Sequence, residues 1–523
     1  MRRTIVFLSL LGMLGTVAGM GALRERELLQ AEPPAVESAS TEAGAVSGSV
    51  GEAEAGAAAR PEAKAGGGVE GGAGIDAGAG TEAPAPATEP STPPVDPEVP
   101  RPHLRVVALG WEVLAPGVLA NDGMEPGQDS AFAAVGLDVS FSSVVDAEEI
   151  EIRLGRGGAD ERGADVALVP LPAFVASYER LRALSPQVFH VVAWSRGRDV
   201  LVGEGEVLQQ PPRGELRLHG EPGSSSVLLG LFALEQAGVS PSRVRLVEGG
   251  SPGRRHGLQA VERRKSREID ARDLVLSTAE ATHLVPVVAV APAGVVARRE
   301  ADLVTWSRVW LDGATTLGGD PAAAARTLAS ESGAPEAVDL IDGLGWLDFT
   351  DLHGAAQAAG LSGRGAVELD GLFHRTWSLW RDVGLLTTPP PEHVPLTAIV
   401  IADLAREVPP GPAPVSPAIH RDPSGDEPGV LLTHTVSGRR LSAAAESRLV
   451  AEVGFLAGVF SRSTIEVTVP RSSEAADRVA THASERFGLG EGRVVVVPAE
   501  PEPKGTRPKK PRVAATVVVR DAR

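Results

Sequence analysis

Glu215-Leu-Arg-Leu-His219 leads into Gly220-Glu-Pro-Gly-Ser-Ser-Ser226 and then into Val227-Leu-Leu-Gly-Leu-Phe-Ala-Leu-Glu-Gln-Ala237. The first piece is a short β-type run, the second a turn through Gly223, and the third a helix-forming stretch. A strand that turns through glycine and serine straight into a helix is the working unit of an α/β fold. The same texture extends on both sides. Strands are predicted at Leu104–Leu109, Leu137–Val144, Val166–Val169, Val188–Trp194, Val244–Val247, Leu274–Ser277 and Val287–Val290. Gly257–Ile269 reads as a second helix, and the alternation predicts a mainly parallel sheet. Ala301–Leu317 follows, with Leu303, Trp306, Trp310, Gly313 and Leu317 on one helical stripe, and a helical region runs on to about Arg406.

Composition changes sharply at both ends of this block. Residues 25–101 are Ala, Gly, Glu and Pro with almost no large apolar side chains. Such a segment has too little apolar surface to offset its ordering entropy, so it is expected to be a disordered linker with a reach of about 50 Å. Before it, Arg2 and Arg3 precede the apolar run Thr4–Leu23. That length matches the ~20 residues needed to cross a bilayer, and the basic start puts the N-terminus inside. Residues 1–24 therefore read either as a membrane anchor or as a cleaved signal peptide ending near Gly19 and Gly21. Both readings export the rest of the chain to the periplasm or cell envelope. Residues 409–428 are a second Pro/Gly-rich linker. The last block, 429–523, reads strand, helix, strand, helix, strand, a basic loop at Lys504–Arg512, and a closing strand.

The 523 residues suffice for two or three domains. The formal charge of −18 argues against a nucleic-acid binder, and twelve acids against two bases in residues 31–100 supply much of it. No cysteine occurs, which removes disulfides, thiolate metal sites and a lipoprotein's acylated cysteine together. No P-loop or His-Glu-x-x-His pattern is found, and no Gly-x-Ser-x-Gly elbow appears where a hydrolase would need it, so neither an enzymatic role nor a cofactor is expected. Carboxylate pairs such as Asp339 and Asp342 read as solvated helix faces. The charged stretch Arg254–Arg272 reads as a salt-bridged helix.

Five quoted stretches, in order, carry a resemblance: Arg105-Val-Val-Ala-Leu-Gly-Trp111, Ala115-Pro-Gly-Val-Leu119, Val191-Val-Ala-Trp-Ser-Arg-Gly197, Gly220–Ser226 and Trp310-Leu-Asp-Gly-Ala314. Residues 102–408 resemble the nitrate/sulfonate/taurine-type substrate-binding proteins of ABC transporters, of the type II periplasmic-binding-protein fold. Residues 429–523 resemble a small α+β OmpA-like domain through Ile465-Glu-Val467, Glu474–Gly488, Val494–Val497 and Arg512–Val519. The resemblance implies two α/β lobes joined by two crossing strands, closing on a small anionic or zwitterionic solute. It also implies an ABC permease or another envelope protein as partner. Two departures stand out. Pro170-Leu-Pro172 replaces the polar loop that follows the third strand. In the OmpA-like part, Pro470-Arg471 and Ala475 stand where an aspartate and an arginine would grip peptidoglycan, so the likeness does not extend to wall binding.

Candidate contacts follow from helix ends and lobe crossings. Ser224, Ser225 and Ser226 open a helix whose first N–H groups attract an anion, although a serine there also serves as a simple N-cap. Ser195 and Arg196 lie where the chain crosses lobes. Arg196 offers a forked contact to an acid, or else a surface salt bridge with Asp199 or Glu204. Trp111 follows the first strand and either stacks on a ligand or packs in the core. Ser277 and Thr278 leave a later strand toward the expected cleft. A scaffold that keeps both folds and neither ligand is the alternative to a solute receptor.

Overall fold

In a computed structural model the described residues are 102–249, 257–263, 269–270, 272–331, 333–361, 367–407, 429–438, 441–470, 472–499 and 513–521. The Thr4–Leu23 run, the 25–101 and 409–428 linkers and the Lys504–Arg512 cluster lie outside them. No helix among the described residues is long and apolar enough to cross a membrane.

The first four strands are β1 His103–Leu109, β2 Asp138–Val144, β3 Val166–Pro170 and β4 Pro186–Ser195. The next five are β5 Asp199–Gly203, β6 Leu216–His219, β7 Val244–Val247, β8 Gly257–Glu262 and β9 Leu274–Ser277. β10 Pro286–Pro292 and β11 Leu347–Phe349 follow. They form two sheets. One is ordered β11-β4-β10-β3-β1-β2, the other β7-β6-β8-β5-β9. The chain leaves the first sheet between β4 and β5 and returns between β9 and β10. Residues 102–407 therefore make the two-lobed, twice-crossed α/β arrangement that the resemblance implied.

Two expectations are corrected. The sheets are mixed rather than mainly parallel: β1 runs parallel to β2 and β3, whereas β10 runs antiparallel to both β3 and β4. A returning strand inserted between two earlier ones has no helical crossover to set it parallel. Residues 257–262 are a strand, not the start of a helix. Leu258 and Ala260 alternate inward with period two, and β6 and β5 supply partners on both sides. The charged run that follows masked that short alternation.

The apolar stripe on Glu300–Gly319 is buried as expected, with Trp306 and Trp310 packed at 5.0 Å between ring centroids. This helix anchors the first lobe's core against the helix Ala115–Asn121. The second lobe is centred on the helix Ser225–Gln236, whose apolar residues are nearly all buried between β6 and β8 and the helices outside them.

The C-terminal block has β12 Val430–Ser437, β13 Thr464–Thr468, β14 Val494–Val496 and β15 Val513–Arg520, in the order β12-β15-β13-β14, with helices Ala443–Val459 and Ser473–Phe487. Gly454 lets these helices approach, since a Cβ there would overlap the Phe487 ring. Arg493 is fully buried and donates to the carbonyls of Ser461, Ala457 and Phe460, where the first helix ends. Burial lowers its pKa to about 10, so it stays cationic at neutral pH and faces the negative end of that helix.

Candidate functional site

Gly220 follows β6, and Gly223 at φ +84° takes a left-handed turn that an L side chain rarely adopts. Ser224 follows in an extended conformation as N-cap, and its hydroxyl accepts the Val227 N–H at 3.4 Å. The Ser226 hydroxyl lies 3.2 Å from that of Ser224. The N–H groups of Ser225 and Ser226 have no acceptor inside the helix, as in any first turn. The capping and ligand readings of these serines are compatible, because the cap occupies only one hydroxyl.

These serines line a cleft of about 470 Å³ between the two sheets. The opposite wall comes from the first lobe, including Leu109, Pro170 and Ala173. Among the described residues its charged lining includes Arg180, Arg198, Asp199, Glu221 and Glu262. Arg198 is only 8% exposed, and its Nε donates to Glu262 at 2.6 Å. Burial works against its charge, but Glu262, Asp199 and Glu112 outweigh that and hold its pKa above the ordinary arginine value. Arg180 donates to Glu151 at 2.7 Å. Among the described residues, then, both guanidiniums of the lining hold a carboxylate.

Below the cleft the two crossings are stitched together. The Thr278 hydroxyl lies 2.8 Å from that of Ser195 and accepts the Gly197 N–H at 2.8 Å. Ser195 in turn donates to Asp199 at 2.7 Å. These bonds tie one crossing to the other. They form a structural stitch, with no imidazole in it to activate a hydroxyl.

Of the residues the sequence singled out, Ser224, Ser225, Ser226 and Ser195 lie on the cleft. Trp111 does not: it is 6% exposed in the first lobe's core. Arg196 is half-buried outside the lining, and its backbone N–H donates to Trp346 O at 2.7 Å. Thr278 is fully buried in the stitch. Ser277 is 1% exposed and bonded to Glu280. None of the charged cleft residues was singled out as a contact, and two of them show why. Gly197 at φ +93° turns the crossing, so Arg198 rather than Arg196 faces the cavity. Glu262 was hidden by the helix reading of 257–269. As part of β8 it pairs in register with Asp199.

A second constellation lies away from the cleft, where the C-terminal block docks on the second lobe. Phe232 meets Phe455 and Phe460 at 6.2 Å between centroids. Arg375 stacks over Phe455 at 4.5 Å and bonds Glu235 at 2.8 Å and Glu452 at 3.3 Å. The second crossing joins this seam. His283 N–H donates to Val459 O at 3.1 Å, its Nδ1 bonds Gly458 O at 3.2 Å, and the Thr282 hydroxyl lies 2.7 Å from that of Ser461.

No protein-family model matches the chain, and no curated protein matches its sequence. Solved structures do show likeness. The periplasmic nitrate-binding protein NrtA from Synechocystis aligns at 11% identity over 60% of this chain and 90% of its own, with a TM-score of 0.42. The periplasmic aliphatic sulphonate binding protein SsuA from Escherichia coli aligns at 12% identity over 55% and 89%, with a TM-score of 0.35. A Candida albicans protein with the generic periplasmic binding protein fold aligns at 14% identity over 58% and 95%, with a TM-score of 0.37.

Proposed function

We propose that the chain is an exported envelope protein whose residues 102–408 capture a small anionic or zwitterionic solute by closure of two lobes. The observation that carries this reading is the cleft of about 470 Å³, with the 225–236 helix N-terminus on one wall and both crossings at its base. Ser224, Ser225, Ser226 and Ser195 are its contacts, and an ABC permease or another envelope protein is its partner. Residues 429–523 are a degenerate OmpA-like domain, supported by their strand and helix order and by the loss of the peptidoglycan-gripping pair. Residues 4–23 hold the protein at the inner membrane or are removed on export.

The test is thermal unfolding of the full chain against small oxyanions, sulfonates and amino acids. A bound solute at 100-fold over its Kd adds about 2.7 kcal/mol, a rise of about 3 °C for a folded part of this size. The shift is expected to vanish when Ser224, Ser225 and Ser226 are all replaced by alanine. A scaffold role is the second reading, favoured by the seam that fixes the C-terminal block to one lobe. A folded chain that no solute shifts would take that reading instead.

A further inference from the structure

The seam that fixes the C-terminal block to the second lobe also reaches two elements outside that lobe. The first is the helix Leu369–Asp382, which carries Arg375. This helix packs on the first lobe's helix Leu171–Leu181: Trp380 Nε1 donates to Pro172 O at 3.2 Å, and Phe373 and Trp377 lie edge-on to Tyr178 at 6.0 and 5.7 Å between centroids. Arg375 therefore joins a helix seated on the first lobe to Glu235 of the second lobe and Glu452 of the block. The second element is the crossing between β9 and β10, bonded through Thr282 and His283 to the end of the helix Ala443–Val459. The His283 ring also meets Trp194 of β4 edge-on at 4.9 Å, so the contact extends to the other crossing. At the cleft itself the lobes already touch, since a Cβ on Gly223 would come within 3.0 Å of Ala176.

Opening a two-lobed cleft is a hinge motion, in which the crossings absorb the rotation and the helices flanking the cleft separate. Here one crossing is bonded to a third body, and one guanidinium pins elements of both lobes to that same body. We infer that the C-terminal block is a latch on the cleft: it holds the lobes in contact, and solute exchange requires the seam to yield. The inference rests on the reading that the lobes move to capture a solute, and it adds that the block controls the motion.

The chain has no cysteine, so one engineered pair reports the lobe separation without interference. Thr315 is exposed on the first lobe and Arg245 on the second. With both changed to cysteine and spin-labelled in the full chain, pulsed EPR is expected to give one narrow distance distribution. Glu452→Lys sets a cation against Arg375 and is expected to add a second population, longer by more than about 2 Å. Glu485→Lys makes the same charge change on an exposed position of the block outside the seam and is expected to leave the single peak. Thr282→Val removes the hydroxyl bonded to Ser461 with little change of shape, and it carries the test if the charge reversal unfolds the block. A broad distribution with the seam intact, or an unchanged single peak in folded Glu452→Lys or Thr282→Val, overturns the latch whether or not a solute binds. A second population in these variants, with no oxyanion, sulfonate or amino acid shifting the unfolding of either form, keeps the latch and removes solute capture.

Discussion

The cleft and the C-terminal seam are built from the same chemical unit, an arginine held by carboxylates, and set it to opposite uses. Arg198 in the cleft pairs with Glu262 beside a cavity of about 470 Å³. Arg375 in the seam pairs with Glu235 and Glu452 while lying over Phe232 and Phe455. In the seam the guanidinium lies over two rings and between two carboxylates of facing elements, so its charge serves adhesion. In the cleft one side meets open volume, and the pair's field reaches whatever enters. The difference teaches that a buried ion pair becomes a candidate recognition element when packing leaves it a face.

Four measurements sharpen or break this contrast. Phe232 is fully buried at the centre of the seam, so Phe232→Ala is expected to cost about 4 kcal/mol in chemical unfolding. A loss below about 1 kcal/mol would mean the block does not depend on this ring. Arg198→Ala comes next, at about 3 kcal/mol, because it removes a cation bonded to Glu262 on a wall where the Arg198 and Glu262 side chains are 10% and 15% exposed. Arg375→Ala should cost less, about 2 kcal/mol. Its partner Glu235 is 36% exposed, so solvent screens what remains. Equal losses at the two arginines would erase the distinction drawn between the two sites. Ser224→Ala removes the N-cap and should cost about 1 kcal/mol, whereas Ser226→Ala should leave stability unchanged while weakening solute binding. Urea midpoints and binding titrations of the pair decide between capping and contact.

Acid provides a fifth, smaller probe, and His283 is the seam group through which it acts. Burial lowers the His283 pKa below 6.5, outweighing its bond to Gly458 and the nearby Asp348. A depressed folded-state pKa means the unfolded chain binds the proton first. The stability from neutral His283 is therefore complete above pH 6.5 and declines as pH falls toward the lower folded value, by about 1.4 kcal/mol per pH unit at most. His283→Gln should flatten that decline in urea midpoints taken between pH 7 and pH 5. An unchanged slope would place the acid sensitivity elsewhere.

Much of the fold was legible because strands and helices announce themselves by period. β1, β2, β7 and β9 fall within a residue of their predicted bounds, and the Trp306–Trp310 stripe is buried as its spacing required. The serine turn was legible for the same reason: glycine at positive φ followed by an N-capping serine is local chemistry. Arg198 and Glu262 were not legible. One depends on the turn at Gly197, and the other on a six-residue strand whose alternation is shorter than the charged run beside it.

By itself, then, the sequence determined the elements, their order, the absence of thiol chemistry and the helix-opening serines, all set by interactions a few residues long. Tertiary structure alone decided which arginine faces the cleft, that Glu262 stands opposite Asp199, that Thr278 stitches the crossings, and that the C-terminal block is cemented to the second lobe. Each of those depends on groups brought together across tens to hundreds of residues. The energy of such a meeting belongs to the pair and its surroundings, and neither partner's local sequence carries it.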